Sequence, residues 1–483
     1  MISFMEQIKR IIELGAKSAM TLEDIIETEI AEWLGSIERQ WMLIGQRYYN
    51  GDTDIHNRVR TVIGEDGEQV EAVNVANNRL THNFVRKLVD QKVGYLFGLP
   101  MTVRTSNEIY QKYLDEIFNK GFLRMFKDLG KEAINKGKAW LHVYYNEEGK
   151  LSFKKIPSEE IIPLWKDAAH TELDAVIRVY EIEAYEGREK KVITKTEFWD
   201  TEGVRRYILD ENGVLVPDVE AGEFDSHFKV VSNEEEIGMN WKKVPFICFK
   251  YNEEEIPLVK FIKSLVDDYD KHMSDNSSNL EDLPNSIYVI KNYDGTNLGE
   301  FRRNLSVFRA VKVTDDGGVD TLSFKFDVEA FKTHMEMLRK NIYEFGRGVD
   351  TQSERFGGDK SGVALKFLYA DLDMDCNIIE TEFQASLEQL RWFIDQHIAN
   401  TTGQDFSDEV VEFIFNRDII INENDVINNV RASVGILSEE TLIANHPWVT
   451  NVQAELDRIR KERDEDIARF QTGDYNLPAE GEE

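Results

Sequence analysis

Over the first 60 residues apolar positions recur every three or four places, which predicts helices. Thr21, with Asp24 three residues on, has the form of a capping box ahead of Ile25, Ile26, Ile30 and Trp33. A turn-rich stretch around Gly64-Glu65-Asp66-Gly67 follows. The next helical pattern runs from about Thr81 to Phe97, with Phe84, Leu88, Val89, Val93 and Leu96 along one face and Gly98-Leu99-Pro100 as its stop. One further helix is expected from about Glu108 to Lys136. From Ala139 to Asn252 the period falls to two. Trp140 to Tyr145 and Lys150 to Ile156 flank Asn146-Glu147-Glu148-Gly149, a hairpin signal. Ala175–Ile182, Lys191–Trp199, Arg205–Leu209, His227–Val231 and Val244–Lys250 read as further strands. No helices separate them, so antiparallel pairing is expected.

The helical period then returns. Pro257 opens a helix to about Asn279, with Leu258, Phe261, Ile262, Leu265, Val266 and Tyr269 at helical spacing. A compact α/β insertion, about 283–326, holds an apolar strand (Ile287–Ile290), a turn at Asn292-Tyr293-Asp294-Gly295, a short helix near Leu298–Leu305, a strand at Ala310–Val313 and a turn at Asp315-Asp316-Gly317-Gly318. A helix beginning near Asp327 carries Phe331, Met335, Leu338, Ile342 and Phe345. A glycine-bearing loop, Gly346 to Gly362, leads into a helical pattern from about Val363 to Ala399. Some 37 residues of helix span about 55 Å, more than one ordinary domain needs. Beyond it lie a strand pair signal (Val410–Phe415 with Ile419–Ile421), two helices, a charged helix from about Val452 to Phe470, and an acidic end, 471–483, that reads as disordered.

Composition narrows the function classes. The 483 residues hold 58 Lys plus Arg against 90 Asp plus Glu, a net charge of −32. Such a surface repels phosphate backbones and anionic membranes, so tight DNA binding over a broad face is not expected. No stretch reaches the length of a membrane span, and charges within Met1–Lys17 argue against a signal peptide. Two separated cysteines, Cys248 and Cys376, fit buried thiols in a reducing compartment. The charge is unevenly spread: Asn285 to Val363 carries 12 basic and 12 acidic residues, so the whole excess lies elsewhere. A neutral stretch in so acidic a chain would tolerate a polyanion without strong adhesion.

Catalytic constellations do not emerge. Lys360-Ser361 invites comparison with a phosphate loop, but the required glycines fall on Glu354 and Asp359, and an acid there repels phosphate. Asp371, Asp373 and Asp375 have cation-ligand spacing, yet on a helix only Asp371 and Asp375 share a face, which reads as a solvated or interface stripe. His82 reads as a helix-end or core residue. Neither a His-Glu-x-x-His motif nor a Gly-x-Ser-x-Gly elbow occurs. These residues predict no enzyme, no cofactor and no metal centre.

Several stretches in order resemble the portal proteins of tailed bacteriophages, in the group from long-tailed phages of Gram-positive bacteria. They are Asn77-Asn78-Arg79-Leu80-Thr81-His82 with Leu88-Val89-Asp90-Gln91-Lys92, then Gly94 to Pro100, Val289 to Gly295, Val311-Lys312-Val313, Asp316 to Leu322, and Ser361 to Lys366 entering the long helix. The likeness spans nearly the whole chain and is weakest in the first 40 residues, in Glu183–Asn240 and in the tail.

This resemblance implies an α+β portal fold: a helical and antiparallel-β wing (1–251), a two-helix stem (252–282 and 327–347), a small α/β clip (283–326), a tunnel loop (348–362), a long helix (363–400) and a mainly helical crown (401–470). It implies a homo-oligomeric ring, twelvefold in the virion, at one capsid vertex, assembled in the host cytoplasm. Double-stranded DNA is then packaged and ejected through the bore. The implied partners are the terminase large subunit, a head–tail adaptor, and the major capsid and scaffolding proteins, with no membrane. In the tunnel loop Gln352, Arg355 and Lys360 are the candidate phosphate contacts, and Gly357 and Gly358 permit backbone rearrangement. Acids such as Glu344 or Asp350 are the alternative channel lining. Asn292, Tyr293 and Asp294 are candidates for partner contact at the clip, or simply close a hairpin, and Leu338 and Ile342 are expected to serve stem packing and assembly. Two other readings stay open: a minor head or head–tail joining protein without a DNA channel, and a nucleotide-processing enzyme at Lys360.

Overall fold

The computed structural model describes residues 21–63, 67–71, 75–186, 188–210, 212–232, 235–281, 286–291, 299, 316–323, 327–352, 367–417, 423–449 and 452–472. The chain divides into two compact units, Met1–Gly348 with Leu372–Arg417, and Val349–Asp371 with Asp418–Glu483.

In the first unit, α1 (Leu22–Gly35) starts at the expected capping box: the Thr21 hydroxyl accepts from the Asp24 N–H and the Asp24 carboxylate accepts from the Thr21 N–H at 2.9 Å. Helix α2 (Ile37–Tyr49) follows at once, capped by Ser36. The short hairpin β1 (Thr61–Ile63) and β2 (Gln69–Glu71) precedes α3 (Phe84–Phe97) and β3 (Thr102–Thr105). The single helix expected over 108–136 is two, α4 (Glu108–Ile117) and α5 (Lys120–Lys136). Asn119 causes the break, because its side chain accepts from the N–H groups of Gly121 and Phe122 and so caps a new helix instead of continuing the old one. Gly137 then ends α5 at φ +88°, with the Glu255 carbonyl only 2.1 Å from where a Cβ would stand, so only glycine fits.

The two-residue period yields an antiparallel β region. It comprises β4 (Lys138–Tyr145), β5 (Leu151–Ile156), β6 (Ile161–Trp165), β7 (Leu173–Glu186), β8 (Glu189–Trp199), β9 (Val204–Leu209), β10 (Leu215–Pro217), β11 (Phe224–Asp225), β12 (Phe228–Ser232), β13 (Glu235–Met239) and β14 (Phe246–Lys250). The larger sheet runs β10-β9-β8-β7-β6, with β11 also on β9; a second sheet runs β14-β4-β5. Strand β6 escapes the sequence pattern because Pro163 interrupts it, and it takes the sheet edge that a proline tolerates. Alternation on β7 explains how this sheet serves two cores. Ala175 and Ile177 face one, with Ile26, Ile30 and Trp33 of α1, while Val176 faces the other, with Trp140, Phe246 and Cys248 of the smaller sheet.

Helix α6 (Leu258–Glu281), the two-stranded antiparallel sheet of β15 (Ser286–Lys291) and β16 (Gly318–Ser323), and α7 (Val328–Phe345) follow. Strand β15 pairs with β16, placing Ile287 opposite Leu322; the strand expected at 310–313 lies outside the described residues. Helix α8 (Ala370–Thr402) buries Cys376, Ile379, Phe383, Leu387, Leu390, Ile394 and Ile398 in a helical seam. Phe383 meets Phe97, Phe126 and Phe249 at centroid distances of 5.1–5.5 Å, tying α3, α5 and β14 to α8. Strand β17 (Val411–Ile414) pairs antiparallel with β3, some 300 residues earlier; its expected partner at 419–421 lies outside the described residues. The second unit contains α9 (Glu423–Ala432), α10 (Glu439–Ala444) and α11 (Val452–Thr472), with Arg463 of α11 bonded to Glu439 at 2.8 Å.

Candidate assembly and channel elements

Helix α6 is built on a spacing of four. Leu258, Ile262 and Val266 are buried, and the same row continues as Asp270, Ser274 and Ser278, each fully buried. The switch from apolar to polar has a cause. An extended segment, 78–82, lies antiparallel along this part of α6 and needs partners for its backbone. Ser278 Oγ accepts from the Asn78 N–H, Ser274 Oγ from the Leu80 N–H and Asp270 Oδ1 from the His82 N–H, each at 2.9 Å. Two residues of extended chain advance about 6.7 Å and four residues of helix about 6 Å, so the two periods stay in step over three repeats. Asp270 also takes the His82 imidazole at 2.8 Å and the Thr53 hydroxyl at 2.9 Å. His82 is therefore the helix-end residue its position predicts, immediately before α3.

Asp327 caps α7 by accepting from the Ala330 N–H at 3.0 Å. Of the expected apolar stripe, Met335, Leu338 and Ile342 are buried within the protomer, while Phe345 is 58% exposed. Phe261 and Met337, on the same helix pair, are likewise exposed. Apolar surface that the lone chain leaves in water on this helix pair thus sits at Phe261, Leu280, Val328, Met337 and Phe345 and not at Leu338 or Ile342.

The chain leaves α7 through Gly346-Arg347-Gly348 and returns in α8. Both ends of that excursion meet one buried charge cluster. Lys92 of α3, fully buried, places Nζ 2.7 Å from Asp375 of α8 and donates to the Arg347 carbonyl at 3.0 Å. Arg347 reaches Asp375 at 3.3 Å, and the Tyr251 hydroxyl donates to it at 2.8 Å. Burial, reinforced by Asp375, raises the Tyr251 phenol well above its usual range, so it stays a donor. Arg347 adopts φ +47°, and a side chain at Gly348 would run into Leu88, so the turn is tight against α3. Asp375 is therefore not part of a solvated stripe, as its spacing suggested; Asp371 is exposed, and Asp373 binds Tyr95 and Arg417. Sequence reading passed over Lys92 because it sits among Leu88, Val89 and Val93 on an apolar face, where a lysine carries no signal of its partner.

Of the sequence-predicted site residues, Gln352 is exposed, and its N–H donates to Asp350 at 3.1 Å. Arg355, Gly357, Gly358, Lys360, Asn292, Tyr293 and Asp294 lie outside the described residues. Both cysteines are buried and free, with burial pushing each thiol up to about 12. Among the described residues no helix is long and apolar enough to cross a membrane.

The comparisons with known proteins bear on this arrangement directly. The family model described as phage portal protein, SPP1 Gp6-like, matches residues 38–469. The portal protein of Bacillus phage SPP1 is 32% identical over 453 residues, covering 93% of this chain and 89% of that one. The portal protein of Clostridium phage phiCD119 is 30% identical over 455 residues, covering 91% and 96%. A solved structure described as the neck of a native GTA particle, computed with C12 symmetry, aligns at 12% identity with a TM-score of 0.38 over 75% of this chain and 89% of its own. The family match runs along nine-tenths of a chain that mixes helices with antiparallel sheet. The chain belongs to the phage portal protein family, SPP1 Gp6-like.

Proposed function

We propose that identical copies close into a ring, twelvefold in the virion, at one vertex of the capsid, and that double-stranded DNA enters and leaves through its bore. The family match along residues 38–469 carries this reading. In it, α6 and α7 form the stem, β15, β16 and the residues between them the clip, the 348–362 segment the tunnel loop, and the residues beyond α8 most of the crown. Terminase and a head–tail adaptor dock on the ring, with Asn292, Tyr293 and Asp294 as clip contacts, while capsid and scaffolding proteins surround it. The role is structural, and the chemistry of packaging belongs to terminase.

Electron microscopy of the concentrated full chain tests this. Rings are expected, with an axial opening wide enough for a duplex of about 20 Å. Compact monomers at every concentration, or rings closed at the axis, would overturn the proposal.

A further inference from the structure

One group of side chains has no part in the packing or the charge clusters above. Asp268 and His272 stand one turn apart on α6, and His334 projects from α7. One donor atom from each lies within 4.8 Å of the others. His272 Nε2 is 3.4 Å from Asp268 Oδ1, and His334 Nε2 is 3.7 Å from Asp268 Oδ2. The two imidazoles meet edge-on, centroids 5.1 Å apart. All three side chains are about 40% exposed, so an ion could enter from solvent and the donors could close on it.

These separations are informative in both directions. They are too long for good hydrogen bonds to the carboxylate, so the three groups converge without satisfying one another. Donors on a tetrahedral ion with bonds of about 2.1 Å stand about 3.4 Å apart, so side-chain rotation has only to draw in donors that now lie within 4.8 Å of one another. Two imidazoles and one carboxylate form a set that suits zinc, cobalt, nickel or copper rather than magnesium or calcium, which favour oxygen. The i,i+4 pair fixes two ligands on one rigid helix, and the third comes from its neighbour.

We propose that Asp268, His272 and His334 bind one divalent transition-metal ion per protomer, of the zinc class, and that this ion staples α6 to α7. Three protein donors leave a fourth position for water. The staple acts on two helices that already pack on each other, so it changes their relative freedom, not their identity. The proposal stands on the protomer's geometry and needs no ring.

The test uses the full chain, stripped with chelator and titrated with cobalt and then zinc. One cobalt per protomer should bind, with the strong visible absorption of a low-coordinate site. Zinc should displace it, raise the melting temperature and slow amide exchange in 328–345. His272→Ala and His334→Ala should each weaken binding by more than about tenfold, and Asp268→Asn should weaken it as well. In the absence of metal these half-exposed variants should melt as the parent does. Magnesium should reproduce none of the effects. Absence of stoichiometric cobalt or zinc binding would overturn the site, as would binding that survives all three substitutions. Binding without slower exchange in 328–345 would overturn the staple.

Discussion

Lys92 has no water to fall back on. Its ammonium is fully buried, and Asp375 and the Arg347 carbonyl hold it. Removing one partner strands the other, so Lys92→Met or Asp375→Leu should each cost about 3–5 kcal/mol. The double variant should lose less than the sum, because no fully buried charge is then left unpaired and the half-exposed Arg347 can turn to water. Urea unfolding of the four proteins checks this, and additive losses would show that the contact is not energetically coupled. His142 gives a different residue-scale prediction. Burial among Trp199, Phe246 and Tyr144 pushes its imidazole down to about 3. An unfolded histidine titrates near 6.5, so between those values the unfolded chain binds the extra proton. Stability should be at its full value above pH 6.5 and fall as the pH drops toward 3. His142→Phe should reduce the slope of stability against pH by nearly one proton, whereas an unchanged slope would place the imidazole in contact with water. Neither role is legible in sequence: the buried lysine is held by residues more than 250 positions away, and the histidine is packed in part by Phe246, 104 positions on.

The elements were legible where a local signal exists. Capping residues Thr21 and Asp327, the stop at Gly98-Leu99-Pro100, and the period change at residue 139 all place structure where they predict it. Reading fails where a distant segment decides. Strand β3 has only four residues and exists because β17 pairs with it, and the polar row Asp270-Ser274-Ser278 makes sense only beside the backbone of 78–82. The two-helix pair shows both outcomes. The 3.6-residue period identifies Leu338 and Ile342 as inward-facing, yet it cannot say whether "inward" means the protomer or a neighbour. Their burial within one chain answers that. Ile342→Ala should therefore destabilise the protomer by about 2–5 kcal/mol through the cavity it leaves. Phe345→Asp should leave protomer melting nearly unchanged and reduce the fraction of rings seen by sedimentation, because its exposed ring is free for an adjacent copy. If the two variants exchange these effects, the assignment of faces on α7 is wrong.

At the scale of the whole molecule, a conduit must pass a polyanion without gripping it. Each phosphate neutralised by a cation adds about 0.9 to the salt exponent of binding, and repetition around a ring multiplies the friction. A net charge of −32, with Asn285–Val363 balanced at 12 against 12, suits passage with brief contacts, and that partition is visible in sequence alone. Ring closure is not: no residue pattern dictates a symmetry, and only the likeness to portal proteins points there. The proposed tunnel loop is where the two levels meet. Arg347, just before it, and Asp375, in α8 beyond it, meet at the Lys92 cluster, so shortening the chain between them should leave that cluster in place. Deleting Gly357 to Lys360 should then preserve ring assembly and protomer melting while removing one of the three candidate phosphate contacts and the Gly357-Gly358 pair. Nuclease-protected DNA per particle should fall, whether because DNA is not driven in or because it is not retained, and particles weighed before and after a pause in packaging separate the two. Packaging and retention at the parent's level would mean that this segment does not touch the DNA.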